Sequence, residues 1–427
     1  MIRLPLVATV LASLLLAPAA HAEDAMARGE YVARAGDCVA CHSTPGGKAF
    51  AGGLKMATPV GTITATNITP DPETGIGAYT LDDFDRALRR GIARDGHHLY
   101  PAMPYPSYAV MADDDVRALY DYFMHAVPPV RQANLPSDIP AHLSPRWPLA
   151  VWNWMFTPAT GYTASPSHDA RWNRGAYLVE GLGHCGACHT PRGWAWQEKS
   201  FGAGDAAFLS GANLDDWYAG NLRRNAATGL GAWSEADIVA FLKTGRNSHA
   251  SAYGSMSEVI ANSTSYLTDD DLAAIAAYLV SLPATDAEAP WHYDASTAAA
   301  LKSGHADAPG ARLYAGSCQA CHRETGAAAP PYLPPLAGNP TVLDRDPASL
   351  INVVLNGTAP LVAKGRPDAY RMPQFRAQLS NREVADIVTF MRASWGNHAP
   401  AVTAEAVAAI RNRTEPSSDR VVPLRMR

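Results

Sequence analysis

The 427-residue sequence has no run of lysine and arginine that forms a basic stripe, and its formal net charge is only −5. Nucleic-acid-binding domains usually carry such a stripe, so its absence argues against nucleic acid as a partner. Beyond the N-terminus, no segment has the roughly 18 consecutive apolar residues of a membrane-spanning helix. Cysteine is scarce, with six residues. The length exceeds that of one compact core and predicts about three domains.

The N-terminus has the three parts of a secretory signal peptide. Arg3 supplies positive charge, residues 4–16 are apolar, and Ala20-His21-Ala22 fits the small-residue cleavage pattern. A retained membrane anchor is the alternative, but the apolar stretch is shorter than the about 20 residues that a span needs. We therefore expect residues 1–22 to be removed and the mature chain to begin near Glu23, outside the cytoplasm.

All the cysteines belong to three C-x-x-C-H motifs, the attachment pattern of haem c. In this pattern, two thiols add to the two vinyl groups of one haem, and the next residue is an imidazole that reaches the iron. A zinc knuckle, a redox-active pair or disulfides would explain one isolated motif. Three motifs that use every cysteine predict three covalently bound haem c groups instead. The motifs are Cys38-Val-Ala-Cys41-His42, Cys185-Gly-Ala-Cys188-His189 and Cys318-Gln-Ala-Cys321-His322.

The surroundings of the motifs repeat as well, which indicates an internal triplication. A short helical segment with an aromatic residue precedes each motif. A loop rich in glycine and proline, a helix, a methionine-bearing loop and a final helix follow it. The final helices are predicted over residues 114–125, 269–282 and 381–395. Helix starts with the S/T-x-x-D/E capping pattern are Thr80 with Asp83, Ser234 with Asp237, Thr268 with Asp271, and Ser380 with Glu383.

These patterns predict an all-α fold of three tandem cytochrome c-like domains, each wrapped around one haem. Strand signal is weak throughout. The expected order is a signal peptide (1–22), domain 1 (23–127), a Pro- and Trp-rich linker (128–171), domain 2 (172–282), a second linker (283–309), domain 3 (310–396) and a C-terminal tail (397–427).

The histidine of each motif, His42, His189 or His322, would take one axial position on the iron. The other axial ligand decides the chemistry. A methionine thioether favours ferrous iron and electron transfer, whereas an open position permits reaction with peroxide or oxygen. The proline-rich run over residues 330–335 could present a backbone carbonyl to the outer nitrogen of His322.

Each repeat has a methionine in a predicted loop that could be the second axial ligand. Met103 and Met372 each precede a proline, which stiffens the loop. Met256 precedes a serine, but no other methionine lies between residues 155 and 372. Ordinary packing is the alternative for each of them. Other candidates are His249 in the second repeat, Met56, Met111 and Met124 in the first, and Met391 in the third.

Longer motifs give a family resemblance. The chain resembles, over residues 28–395, the triheme cytochrome c subunit of membrane-associated bacterial dehydrogenases that act on alcohols, gluconate, sorbitol, fructose or aldehydes. The segments that carry the resemblance are Gly29-Glu-Tyr-Val-Ala-Arg-Ala-Gly-Asp-Cys38 through His42, Asn67-Ile-Thr-Pro-Asp-Pro72, Tyr100-Pro-Ala-Met-Pro-Tyr105, Pro136-Ser-Asp-Ile-Pro140, Arg146-Trp-Pro-Leu149 and Thr228-Gly-Leu-Gly-Ala-Trp233.

The resemblance implies a role as a subunit that is not itself an enzyme. Electrons would arrive from a catalytic dehydrogenase subunit of the flavin, quinone-cofactor or molybdenum type, and would leave to ubiquinone or a terminal oxidase. It also implies a place in the periplasm, at the periplasmic face of the cytoplasmic membrane, with peripheral membrane contact. The implied axial pairs are His42 with Met103, His189 with Met256, and His322 with Met372.

Two departures from the family and two further functions stay open. Family members often end in a hydrophobic or amphipathic membrane anchor, whereas the apolar stretch of this tail, residues 402–410, is short, so direct membrane attachment stays open. The second repeat has Asn221-Leu-Arg-Arg-Asn225 where the first has Asn67-Ile-Thr-Pro-Asp71.

The Trp-rich segment 146–156 is either a docking surface or a wedge between domains. The alternative functions are a multihaem peroxidase or sulfur-compound oxidase with an open haem site, and a free-standing electron carrier.

Overall fold

The computed structural model describes residues 17–214, 216–358, 361, 370–416 and 426. Most of the predicted signal peptide and part of the C-terminal tail lie outside these residues. The chain divides into two compact units, Met1–Tyr162 with Leu424–Arg427, and Thr163–Pro423. The first unit contains the first C-x-x-C-H motif, and the second unit contains the other two. The boundary between the units lies inside the predicted linker 128–171.

The first unit consists mainly of helices and has one short hairpin. Its elements, in chain order, are α1 (Ala17–Ala35), α2 (Cys38–His42), β1 (Lys55–Thr58), β2 (Gly61–Thr64), α3 (Leu81–Arg90), α4 (Tyr105–Tyr108), α5 (Asp113–His125), a 3-10 turn (Ala141–Leu143) and α6 (Pro148–Phe156).

The second unit contains a similar order of elements twice, and among its described residues a hairpin occurs in the first half alone. The first half contains α7 (Ala170–Ala176), a π-helical turn (Tyr177–Leu182), α8 (Gly186–His189), β3 (Ala212–Leu214), β4 (Trp217–Ala219), α9 (Glu235–Thr244), α10 (Gly254–Asn262), a 3-10 turn (Thr264–Tyr266) and α11 (Asp269–Ser281). The second half contains α12 (Ser296–Ser303), α13 (Ala311–Ser317), α14 (Gln319–His322), α15 (Pro340–Leu343), α16 (Ala348–Asn356), α17 (Asn381–Arg392) and α18 (Ala404–Arg413).

The capping residues predicted from the sequence begin the helices as expected. Thr80, Ser234 and Ser380 form complete capping boxes, in which each side chain accepts a backbone N–H three residues later and the acidic side chain accepts the cap's own N–H. Thr268 accepts the N–H of Asp271. The final helices of the first two repeats also match the prediction. The third ends at Arg392 rather than at residue 395.

A close helix crossing recurs in all three repeats. The segment before each motif crosses the final helix at a glycine, where the backbones nearly touch. A Cβ atom there would lie 2.1 Å from a backbone oxygen of the final helix, so no larger residue fits without displacing a helix. The facing pairs are Gly29 and Ala118, Gly175 and Ala274, and Gly310 and Asp386.

An ion pair accompanies this crossing in the first two repeats. Arg28 lies 2.8 Å from Asp115, and Arg174 lies 2.7 Å from Asp271. Both carboxylates belong to the first turn of the final helix, where negative charge also interacts favourably with the helix dipole. Pro309 stands before the glycine in the third repeat, so this pair is absent there.

The two hairpins make the fold helix-rich rather than purely helical. β1 and β2 are antiparallel, with Lys55 opposite Thr64, and β3 pairs with β4 in the same way. Strands of three and four residues are too short to show the alternating pattern by which a strand is recognised in a sequence. The loop after the first repeat covers the first hairpin, because the N–H of Thr62 donates to the carbonyl of Asp138 at 2.8 Å.

The C-terminal tail contributes to the core of the third repeat. Tyr314, Phe390 and Trp395 form an aromatic cluster with ring centroids 5.3–5.9 Å apart. Val407 and Ile410 of α18 are buried in the same core. The apolar stretch of the tail therefore packs against its own domain. No helix among the described residues has both the length and the apolar character to cross a bilayer.

Side-chain and backbone hydrogen bonds join the second and third repeats within the second unit. The Oγ of Ser349 on α16 accepts the N–H of Tyr218 at 2.8 Å and donates to its carbonyl at 3.0 Å. Asn213 donates to Asp346 at 2.7 Å. The hairpin β3–β4 therefore docks on the third repeat.

The Trp-rich segment forms α6 and packs on the first unit along one face. The Trp152 ring lies 6.2 Å from that of Tyr105, and the Asn153 amide donates to the carbonyl of Arg90 at 2.9 Å. On the other face, Trp147 is 74% exposed and Trp154 is 83% exposed. An apolar aromatic face is therefore open to solvent in this unit.

Candidate haem sites

The three motifs lie on single helical turns, α2 and α8 and α14 with the residues just before them. Helical geometry places positions i, i+3 and i+4 on one face, so both sulfurs and the imidazole of each motif face the same side. None of the six cysteines forms a disulfide. Burial raises the pKa of the leading thiols, Cys38, Cys185 and Cys318, to about 12. Redox-active C-x-x-C pairs instead have a lowered thiol pKa. The raised values therefore disfavour the interpretation of these motifs as redox-active pairs.

In the first two repeats, a backbone carbonyl orients the histidine ring. His42 Nδ1 lies 2.8 Å from the carbonyl oxygen of Thr66, and His189 Nδ1 lies 2.7 Å from that of Gly220. A carbonyl only accepts, so Nδ1 carries the proton and the Nε2 lone pair is available for a metal. Burial lowers the pKa of both imidazoles, which keeps them neutral as a ligand requires.

A buried asparagine holds each of these carbonyls in place. Asn67 and Asn221 directly follow the two carbonyl residues, and the side-chain oxygen of each accepts a backbone N–H two residues later, at 2.9 and 2.8 Å. The Asn67 amide also donates to the carbonyl of Val130 at 2.8 Å. The chain that leaves the final helix therefore ties down the loop that orients His42.

The second repeat keeps this arrangement with a different residue. Arg223, which is 2% exposed, stands where the first repeat has Thr69. Its guanidinium donates to the carbonyls of Phe208 at 3.0 Å and of Pro283 at 2.9 Å. Pro283 begins the second linker. Arg223 therefore bonds its loop to the chain after the final helix, as the Asn67 amide does in the first repeat. The departure seen in the sequence thus changes the chemistry of the loop and preserves its function.

His322 is held more loosely. Burial lowers the pKa of this ring, and the nearby carbonyl of Pro334 raises it by a smaller amount. Nδ1 is nevertheless buried without a hydrogen bond of good geometry. A carbonyl of the proline-rich run therefore influences the ring, but it makes no hydrogen bond to Nδ1, the outer nitrogen to which the sequence assigns it.

The third repeat contains a large cavity that brings its predicted site residues together. Cys318, Cys321 and His322 line it together with Met372. Much of its remaining lining is apolar, including Leu336, Val354 and Ile387. Such a lining suits a macrocycle attached to both sulfurs. Met391 also reaches the lining, from the buried side of α17, where it belongs to the core.

Met103 lies in a turn, as predicted. Its carbonyl accepts the N–H of Tyr105 at 2.8 Å, and its side chain is partly buried. Its rival Met111 is completely buried in the core, and Met56 belongs to strand β1. The loop position therefore favours Met103, and its pairing with His42 stays a prediction.

Met256 does not lie in a loop, contrary to the sequence prediction. It occupies the first turn of α10, because the residues after Gly254 are compatible with a helix and Gly254 itself takes a positive φ of 54°. The rival His249 stacks on Trp233, with ring centroids 5.3 Å apart, and its Nε2 lies 3.5 Å from Asp237. These contacts engage His249 elsewhere and favour Met256, whose pairing with His189 stays a prediction.

Comparison with a family model also indicates a cytochrome. The family model described as "Cytochrome C oxidase, cbb3-type, subunit III" matches residues 305–391, the third repeat. A helix-rich chain with this match and with C-x-x-C-H motifs on helical turns is a c-type cytochrome, which binds haem c covalently.

Similarity over nearly the whole chain is more specific. The chain is 52% identical over 399 residues to the gluconate 2-dehydrogenase cytochrome c subunit of Pantoea cypripedii, covering 92% of this chain and 90% of the relative. It is 50% identical to the alcohol dehydrogenase (quinone) cytochrome c subunit of Gluconobacter oxydans (strain 621H), covering 94% and 86%. The fructose dehydrogenase cytochrome subunit of Gluconobacter japonicus is 36% identical, covering 92% and 84%.

The chain therefore belongs to the family of dehydrogenase cytochrome c subunits. Members of this family transfer electrons and are not the catalytic subunits.

A buried carboxyl group that the sequence did not reveal lies beside the second motif. Glu198 is 7% exposed, and its Oε2 lies 2.4 Å from where a Cβ at Gly186 would be. A side chain after Cys185 would therefore require the Glu198 carboxyl group to shift. Burial raises the pKa of Glu198 to about 7, and Arg192 at 3.7 Å offsets this only in part. A single glutamate in a loop has no sequence signature, so only the folded chain identifies it.

This carboxyl should make stability depend on pH. Its folded pKa, about 7, lies above the ordinary value of about 4.5, so the native state holds a proton that the unfolded state releases. Stability should therefore fall as pH rises from about 4.5 to about 7. Glu198→Gln should remove this loss and raise the free energy of unfolding at pH 8 by up to roughly 3 kcal/mol, with a smaller gain at pH 5. Urea denaturation of the haem-loaded protein measures both values.

The surface residue Glu235 provides the control. Glu235→Gln should change the free energy of unfolding by about 0.5 kcal/mol or less at either pH. Equal gains for Glu198→Gln at pH 5 and pH 8 would contradict a titrating carboxyl.

Proposed function

We propose that this chain is a triheme electron relay of a periplasmic dehydrogenase complex. The observation that carries the proposal is the third cavity, where both sulfurs of a motif and His322 line the same space as Met372. The oriented rings of His42 and His189 support equivalent sites in the other two repeats. The domains would be those predicted from the sequence, 23–127, 172–282 and 310–396.

In each proposed site, protein side chains would occupy the ligand positions of the iron, so that no other reactant could bind to it. In the proposed arrangement, Cys38 and Cys41, Cys185 and Cys188, and Cys318 and Cys321 carry the thioether bonds. His42 with Met103, His189 with Met256, and His322 with Met372 are the axial pairs. When bound, each haem supplies a one-electron Fe(III)/Fe(II) couple. A protein ligand on both sides leaves no position for peroxide or oxygen, which favours electron transfer over the peroxidase and oxidase alternatives.

The direction of electron flow rests on the relatives. Their names assign them to gluconate, alcohol and fructose dehydrogenases, so a catalytic dehydrogenase subunit would be the donor. A flavin, quinone-cofactor or molybdenum subunit would serve equally in chemical terms. Ubiquinone or a terminal oxidase would accept the electrons. The predicted signal peptide, residues 1–22, supports a periplasmic location, on the outer face of the cytoplasmic membrane.

Haem content and ligand replacement test the sites. A pyridine haemochrome assay should return three haems per chain, and Cys318→Ala with Cys321→Ala should return two. Met372→Ala should convert one haem to high spin and weaken the far-red methionine-to-iron band by about a third, since one of three thioether ligands is lost. Met256→Ala should do the same in the second repeat.

Two matched variants serve as controls for ligand replacement. Met391→Leu and His249→Ala should keep the complete band, because these residues are assigned to packing and to the Asp237 contact. If Met391→Leu loses part of the band and Met372→Ala keeps it, Met391 is the ligand of the third haem. If Met256→Ala keeps the band and His249→Ala converts one haem to high spin, His249 is the ligand of the second haem.

Electron transfer itself distinguishes a relay from an enzyme. The purified haem-loaded chain should oxidise no alcohol, gluconate or fructose alone. Its haems should become reduced when the co-purifying dehydrogenase subunit and its substrate are added, as anaerobic absorption spectra would show. Reoxidation of the reduced chain by peroxide, at a rate typical of turnover, would instead support the peroxidase alternative. Absence of any co-purifying subunit would support a free-standing carrier.

The exposed face of α6 supports the proposed peripheral membrane contact. Tryptophan favours the interface between lipid and water. Trp147, the residue that caps α6, and Trp154 within it both have most of their surface exposed. Trp147→Ser with Trp154→Ser should keep three haems and lose most of the co-sedimentation with phosphatidylglycerol-containing vesicles. Trp194→Ser, which changes a tryptophan 81% exposed in the other unit, should bind vesicles like the unchanged protein. Equal vesicle binding by all three proteins would contradict the contact.

A further inference from the structure

Arg246 of the second repeat lies in the wall of the third-repeat cavity. This side chain is 2% exposed, and it lines the same space as Cys318, Cys321 and His322. Its guanidinium carbon lies 5.2 Å from the ring centroid of Tyr332, which belongs to the third repeat. A cation from one repeat therefore enters the proposed haem site of the next.

The backbone holds Arg246 in a fixed position. Gly245 ends α9 with a left-handed φ of 75°, and its carbonyl accepts the N–H of Ala252 at 2.7 Å. Arg246 and Ser251 form an isolated β-bridge within this turn, and Thr244 donates to the carbonyl of Arg246 at 3.1 Å. A side chain on such a short, closed turn has little freedom to leave the cavity.

The corresponding position in the first repeat is apolar. There, α3 ends at Gly91 with a left-handed φ of 60°, and Ile92 forms the matching isolated bridge with His98. The fold of one repeat therefore does not require arginine at this position. The arginine occurs in the repeat whose turn borders the next repeat's cavity, which indicates a role between the two repeats.

The charge of the cavity matches an anion. Its described lining includes two arginines, Arg246 and Arg371, and neither aspartate nor glutamate. Haem carries two propionate carboxylates that are ionised at neutral pH, and arginine binds a carboxylate through two parallel hydrogen bonds. A charge-assisted hydrogen bond between the guanidinium and a carboxylate is stronger than the cation–π contact with the Tyr332 ring.

We propose that Arg246 binds a propionate of the haem attached to Cys318 and Cys321, and so raises the reduction potential of that haem. The proposal rests on the proposed function, because it requires a haem in the third cavity. A fixed positive charge near the iron opposes the additional positive charge of the ferric state. Part of the electrostatics of the third site would thus come from the second repeat.

Potentiometric titration of the haem-loaded chain tests the proposal. Arg246→Ile, which installs the residue of the first repeat, should lower one of the three midpoint potentials and leave the other two unchanged. The expected change is a threefold to tenfold shift in the ratio of reduced to oxidised haem at fixed potential, up to about 59 mV. Arg246→Lys should retain most of the potential because it keeps the charge.

Two comparisons keep the outcome interpretable. Arg371→Gln removes the exposed arginine of the same cavity and should shift the potential less, since solvent screens an exposed charge. If Arg246→Ile holds three haems with unchanged potentials, the proposal is overturned and the triheme relay stands. If the unchanged protein itself holds fewer than three haems, the proposed function fails instead. Should Arg246→Ile not fold, an unchanged set of potentials in Arg246→Lys combined with a full shift in Arg371→Gln would also overturn the proposal.

Discussion

The hydrogen bond from a histidine Nδ1 to a backbone carbonyl is the constraint around which the first two sites are organised. It fixes the proton of His42 and His189 on Nδ1 and directs their free nitrogen away from the carbonyl. The carbonyl can do this only if its loop is rigid. Buried Asn67 and Asn221 supply that rigidity, and the chain after each final helix ties the loop down. The linkers are therefore structural parts of the sites they follow.

The repeats preserve geometry while changing chemistry. Arg223 replaces the Asn67 amide as the tie to the following linker, and Arg246 replaces an isoleucine at a turn of the same shape. The glycine at the helix crossing, in contrast, is constant in all three repeats, because the backbones leave no room for a side chain. Side chains at these loop and turn positions therefore differ between repeats, whereas the positions at backbone contact stay glycine. This difference allows the repeats to have different electrostatic surroundings.

Much of the fold could be predicted from local patterns. Capping at Thr80, Ser234, Thr268 and Ser380 depends on residues three positions apart, so the sequence alone identifies it. The C-x-x-C-H motifs and the loop before Pro373 are local in the same sense. The hairpins could not be predicted, because three- and four-residue strands carry no periodic signal. Met256 was predicted in a loop but begins a helix, since nothing in its sequence excludes either conformation.

Sequence by itself determined the three C-x-x-C-H motifs and the repeated pattern around them, and it predicted the candidate ligands, because each depends on residue type and short spacing. Tertiary structure decided which groups surround those ligands. Glu198 lies beside Gly186, and Arg246 reaches the cavity of His322, across separations in sequence that no local pattern spans. Burial also emerges only on folding. It raises the pKa of Glu198, and it removes the solvent that would screen the charge of Arg246. Attachment is thus encoded locally, whereas the electrostatic environment is a property of the folded chain.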